Sequence, residues 1–123
     1  MKKEKIIDIL ELTQNRIAYH PDSADKLKEI MEEAFKNGHK IVLDFGGISD
    51  AYFGFLDRAI GYFVKSYGKK WFEEKVKIQN ANPVVLNMIE NVVYINEVAY
   101  KRSSSYKIRA KVCKICAGRN NDV

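Results

Sequence analysis

KIVLDFGGISDAYFGFLDRAIG, residues Lys40–Gly61, carries the signals on which the fold turns. Lys40-Ile-Val-Leu-Asp-Phe45 is a short apolar run rich in β-branched residues, and Gly46-Gly47 stops it. Such a run suits a central strand covered on both faces. Beyond Ser49-Asp50, the apolar residues Phe53, Leu56, Ile60, Phe63 and Val64 recur at helical spacing. They predict a helix from about Asp50 to Tyr67 that lays this stripe on the sheet and ends at Gly68. A strand that feeds a helix through a tight turn is the usual place for a site in an α/β domain. The residues of this turn carry no evident catalytic chemistry, so the stretch predicts a recognition surface and not a reaction.

On the N-terminal side, Ile6 to Leu12 fits either a strand or one face of a helix. Its shortness and the following Thr13-Gln-Asn15 favour a strand. Arg16 to Tyr19 reads as a loop or a short extended piece. His20-Pro-Asp-Ser-Ala-Asp25 has the character of a helix start, with Asp22 or Ser23 as the cap. Leu27, Ile30, Met31, Ala34 and Phe35 continue as an apolar stripe, and Asn37-Gly38 is a fitting stop.

On the C-terminal side, Lys69 to Lys75 reads as a short helical turn with Trp71 and Phe72 on a core edge. Val76 to Asn80 alternates as a half-buried edge strand does. Asn80-Ala-Asn-Pro83 is turn chemistry with Pro83 at a first helical position. Val85, Met88, Ile89, Val92, Ile95 and Ala99 then form a helical stripe. From Tyr106 to Cys113 apolar and basic residues alternate, which predicts a further strand, and residues 118–123 read as a frayed end. The expected architecture is α/β: one small mixed β-sheet packed with about three helices. Residues 1–100 form the domain and 101–123 a basic extension.

At 123 residues and 46% hydrophobic content, the chain is long and apolar enough for one core. It holds no apolar run of bilayer length and no signal-peptide pattern, so the expected location is the cytoplasm. The net charge of +5 is uneven. Residues 1–100 hold 14 Lys/Arg against 15 Asp/Glu, and residues 101–123 hold seven against one, which places +6 on the extension. A basic end of this kind suits nucleic acid, an acidic protein or an anionic membrane surface, or simply keeps the chain soluble.

The pattern IVLDFGGI, FGFLDRAIGYFVKSYG and VKIQNAN resembles the STAS-like domain family of unknown function, whose relatives include the anti-sigma factor antagonists. Gly54-Phe55-Leu56-Asp57 and Gly61 carry the likeness most clearly, with Arg16 and Ser23-Ala24 in support. The likeness spans roughly residues 5–95. It implies a small α/β sandwich and a protein-binding module whose partner is a regulatory protein, an ATPase-fold kinase among the candidates. In the antagonists, a serine at the start of the corresponding helix is phosphorylated and switches binding. Here Phe53 stands at that position, so the resemblance implies binding without the usual switch. Ser49, earlier in the turn, is the nearest hydroxyl.

The residues expected to meet a partner are Gly47, Ser49, Asp50, Tyr52, Phe53 and Phe55. Three aromatics around one helix start point in different directions, which reads either as at least one exposed ring marking a recognition surface or as three core side chains. The alternative function is nucleic-acid binding through Lys107, Arg109, Lys111 and Lys114, with Tyr106 available to stack. Asp44 and Asp57 read as a turn cap and a surface ion-pair partner of Arg58 or a lysine, not as an acid–base pair. His20 and His39 read as loop histidines. Cys113 and Cys116 have the spacing of half a zinc site, but two ligands need a second chain or a partner to complete them. In a reducing compartment they are expected to be free thiols, and no cofactor is expected. A homodimer would be one way to complete the pair.

Overall fold

The computed structural model describes residues 3–115, with side chains through Ser103. The strands are β1 (Glu4–Asp8), β2 (Ile17–Ala18), β3 (Lys40–Asp44), β4 (Asp50–Ala51) and β5 (Val76–Gln79). The helices are α1 (Ile9–Thr13), α2 (Pro21–Lys36), α3 (Phe53–Leu56), α4 (Tyr62–Tyr67), α5 (Lys69–Lys75) and α6 (Pro83–Ile115). A π-helical turn, Asp57–Gly61, joins α3 to α4. The α/β class is as expected. The strands, however, form two sheets, β1–β3–β5 and β2–β4, and every pairing among them is parallel rather than mixed.

β3 is the central strand and β5 an edge, as the patterns predict. Ile41 and Leu43 point into the main core with Ile7 and Val76. α2 packs on β3, and the α3–π–α4 segment joins α2 to α6. The opposite face of the sheet differs from the expectation of full cover. There, register sets Ile6, Val42 and Lys77 in one row. Val42 is buried outside the main cluster, whereas Ile6 is 62% exposed.

Local chemistry explains the shifted boundaries. The Ile6–Leu12 run is strand only to Asp8, because the Asp8 carboxylate accepts a hydrogen bond from Glu11 N (3.2 Å) and caps a helical turn. α2 is capped not by Asp22 or Ser23 but by His20, whose Nδ1 accepts from Asp22 N (3.2 Å), with Pro21 first in the helix. Asp50 is strand and not helix, since Ile17 and Ala18 pair with Asp50 and Ala51.

The largest correction is at the C-terminal end. The strand expected over Tyr106–Cys113 does not form, because α6 runs unbroken from Pro83 to Ile115. No glycine or proline interrupts residues 84–117. Ile108, Val112 and Ile115 also satisfy helical spacing, and extending an existing helix costs far less than starting a new element. The expected frayed end, 118–123, lies outside the described residues.

Candidate interaction face at the strand–helix junction

The junction begins where β3 ends. Asp44 Oδ1 accepts hydrogen bonds from Gly46 N (2.8 Å) and Asn80 Nδ2 (3.0 Å), and Oδ2 accepts a longer one from Gln79 Nε2 (3.5 Å). The Asn80 amide, then the Gly46 amide, hold its carboxyl below the ordinary aspartate range against the opposing effect of burial. Asp44 therefore caps the turn as an anion, as the sequence suggests. In the turn itself Ile48 N donates to Phe45 O (3.0 Å), and Gly47 takes a φ of +83°. That conformation favours glycine, and a side chain there would also have to push aside the end of Leu10, whose Cδ2 would lie 2.7 Å away.

From Gly47 the chain runs beside the segment that follows α1. Ser49 N (2.8 Å) and Ser49 Oγ (3.2 Å) both donate to Arg16 O, while Arg16 Nε donates to Gly47 O (3.4 Å). Asp50 Oδ1 accepts from Ala51 N (2.8 Å), and Tyr52 N donates to Ala18 O (2.9 Å). Asn82 braces this pairing from behind: its Nδ2 donates to Ile48 O and Ser49 O (both 3.2 Å), and its Oδ1 accepts from Val85 N (2.8 Å) to cap α6.

Strand alternation then sorts the side chains. Ala18 and Ala51 are fully buried, so Ile17, Tyr19 and Tyr52 face outward. Tyr19 and Tyr52 meet with ring centroids 5.9 Å apart, and His20 lies edge-on to Tyr19 at 6.1 Å. Tyr52 is 54% exposed, Tyr19 47% and Phe53 37%.

Of the residues expected at this face, Ser49, Tyr52 and Phe53 are exposed, Gly47 shapes the turn, and Asp50 is half-buried in the strand pair. Phe55 leaves the set: it is 1% exposed and belongs to the core. Tyr19, His20 and Ile17 join the set unforeseen. No local pattern marks them, because the register of β2 on β4 carries them there.

The other candidate residues stay apart. Asp57 does not pair with Arg58. Its Oδ1 accepts from Asn96 Nδ2 (2.7 Å), while Arg58 Nε donates to Asp25 (2.7 Å). His20 and His39 sit at opposite ends of α2, and no group of three metal-ligating side chains occurs among the described residues. Tyr106, Lys107, Arg109, Lys111, Cys113 and Lys114 fall on helical backbone, and Cys116 lies outside the described residues. Among the described residues, no helix is long and apolar enough to cross a membrane.

A parallel α/β domain that presents aromatic side chains beside a strand–helix junction is the class these elements define. The chain belongs to the family of the STAS-like domain of unknown function (DUF4325), whose model matches residues 23–86, from α2 to the start of α6. No curated protein and no solved structure matches the chain.

Proposed function

We propose that this protein is a non-enzymatic interaction module that docks a regulatory protein on the face formed by Tyr19, Tyr52, Phe53 and the Gly47–Ser49 turn. The observation that carries the proposal is the contact between two exposed tyrosines from segments 33 positions apart. Aromatic surface left in water contributes nothing to the fold, whereas the same surface covered by a partner dominates binding energy at interfaces. The face is also braced from behind: its two alanines are buried, and Asn82 ties its turn to α6. By family resemblance the partner is a regulator of the ATPase-fold kinase type. Phe53 at the switch position supports binding that phosphorylation of that position does not control.

The test is affinity capture from the native cell extract by the wild-type chain and by Tyr52→Ala/Phe53→Asp, with quantitative mass spectrometry. The expected result is a protein retained by the wild type and reduced at least about tenfold by the variant, whose fold stays intact. Equal recovery by a folded variant would refute the placement. A second reading has α6 itself as the binding element. It keeps Lys101, Arg102, Lys107, Arg109, Lys111 and Lys114 on one rod, and phosphate contacts there would weaken steeply with salt.

A further inference from the structure

β5 is an edge strand, so one side of it presents unpaired backbone groups. Beside it lies a groove of about 420 Å³, lined by Phe72, Val76, Ile78, Leu86, Ile89 and Tyr94. Leu86 is 40% exposed and Tyr94 70%, on the outward side of α6. The rim carries two carboxylates, Glu73 and Glu90, against the single ammonium of Lys69.

α6 has 33 residues and is about 50 Å long. Its described contacts with the body extend to Glu97, whose Oε1 accepts from Lys69 N (2.7 Å), and to Tyr100, which packs over Gly68. Lys101 to Ser103 are exposed. Helical spacing carries the groove-side face of Leu86, Glu90, Tyr94 and Glu97 onward through Lys101 to positions 108, 112 and 115, occupied by Ile, Val and Ile. Along this line Leu86 and Tyr94 alternate with the acids Glu90 and Glu97, and in the sequence apolar positions interleaved with basic ones follow them. A helix cannot bend back onto its own groove.

We propose that two copies of the chain pair through α6 in an antiparallel, two-fold arrangement, each distal segment lying along the other's β5–α6 groove. A crossing centred near Lys101 sets position 108 opposite Tyr94 and position 112 opposite Glu90. The segment 101–115, with six Lys/Arg and no Asp/Glu, then meets a body in which acids slightly outnumber bases. Each copy's helix covers the other's open strand edge, a common way to protect such an edge. At the axis, each Lys101 Nζ lies 3.8 Å from Glu97 Oε2 of its own helix, which offsets the repulsion between the two lysines.

Sedimentation of the full chain at micromolar concentration is expected to give twice the 14.2 kDa chain mass. Tyr94→Glu and Val112→Asp should each weaken the dimer at least about tenfold while preserving the near-ultraviolet circular dichroism of the body. A Glu90→Cys variant treated with a short thiol crosslinker should yield dimers in which the introduced thiol of one copy is linked to Cys113 of the other. Within one helix these two positions are about 34 Å apart, so that link can form only between copies. A monomer throughout the micromolar range would overturn the proposal, as would a dimer that survives both substitutions or lacks the link. A monomer that gains mass on addition of a DNA duplex would assign the extension to nucleic acid instead.

Discussion

Phe53 and Phe55 stand two positions apart, and helix geometry turns their side chains about 200° from one another. Phe55 enters the core and Phe53 remains 37% exposed. Phe55→Ala is therefore expected to cost about 3–5 kcal/mol, the usual range for an emptied core aromatic. Phe53→Ala should cost less, about 1–2 kcal/mol, because only part of its ring is covered. Urea denaturation of both variants checks the contrast. Asp44 makes a prediction about pH. Its folded-state carboxyl is held below the ordinary aspartate value of 3.8, so it contributes stability above that value and loses it as pH falls through the depressed folded value. Asp44→Ala should accordingly lower the Tm at neutral pH, and the gap to wild type should close as the solution is acidified below about pH 4. A gap that stays constant down to acid pH would show that the carboxylate's charge does not matter. Among single residues, the sequence was informative about Asp44, whose partners include the nearby Gly46 amide, but not about Asp57. Its partner Asn96 is 39 positions away.

Elements were legible where pattern and punctuation agreed. α2 has its apolar stripe, its proline at the start and Asn37-Gly38 at its end, and apart from its cap it forms as read. The segment after β4 was less legible, because a π turn interrupts its helical period at Asp57–Gly61. Asn96 of α6 reaches this turn, hydrogen-bonding both Asp57 and Val92 O (2.9 Å), and a side chain at Gly61 would lie 2.6 Å from the Asn96 amide. Asp57 Oδ1 of the same turn would lie equally close, so Gly61 is crowded both from α6 and from within its own segment. Asn82 links elements in the same way, capping α6 while holding the Ile48–Ser49 backbone. Asn82→Ala should cost about 1–2 kcal/mol from the lost cap and the released carbonyls. It should also speed amide exchange at Ser49 and Asp50, which rest on the same pairing. Hydrogen exchange read by NMR would detect both effects, and unchanged protection there would place the cap's role within α6 alone.

Across the molecule, one continuous cluster joins residues from Ile7 to Val93. The single tryptophan, Trp71, packs against Phe35 (4.9 Å) and Tyr67 (4.5 Å) at the edge of that cluster. Its fluorescence and the near-ultraviolet circular dichroism should therefore lose their native signals in one coincident denaturant transition. Separate midpoints would mean that the core is divided. Residue patterns were enough for the α/β class, the central and edge strands, the first long helix and the family. The first three follow from periodicity and turn residues within a few positions of one another, and the family from the resemblance of residues 40–81 to its motifs. Folding in three dimensions set the parallel pairing of β2 with β4, the joining of Tyr19 to Tyr52, the burial of Phe55 and the helical path of residues 106–115. The first three depend on contacts between segments far apart in the chain. The fourth depends on a helix already begun at Pro83, which an alternating pattern read in isolation does not include.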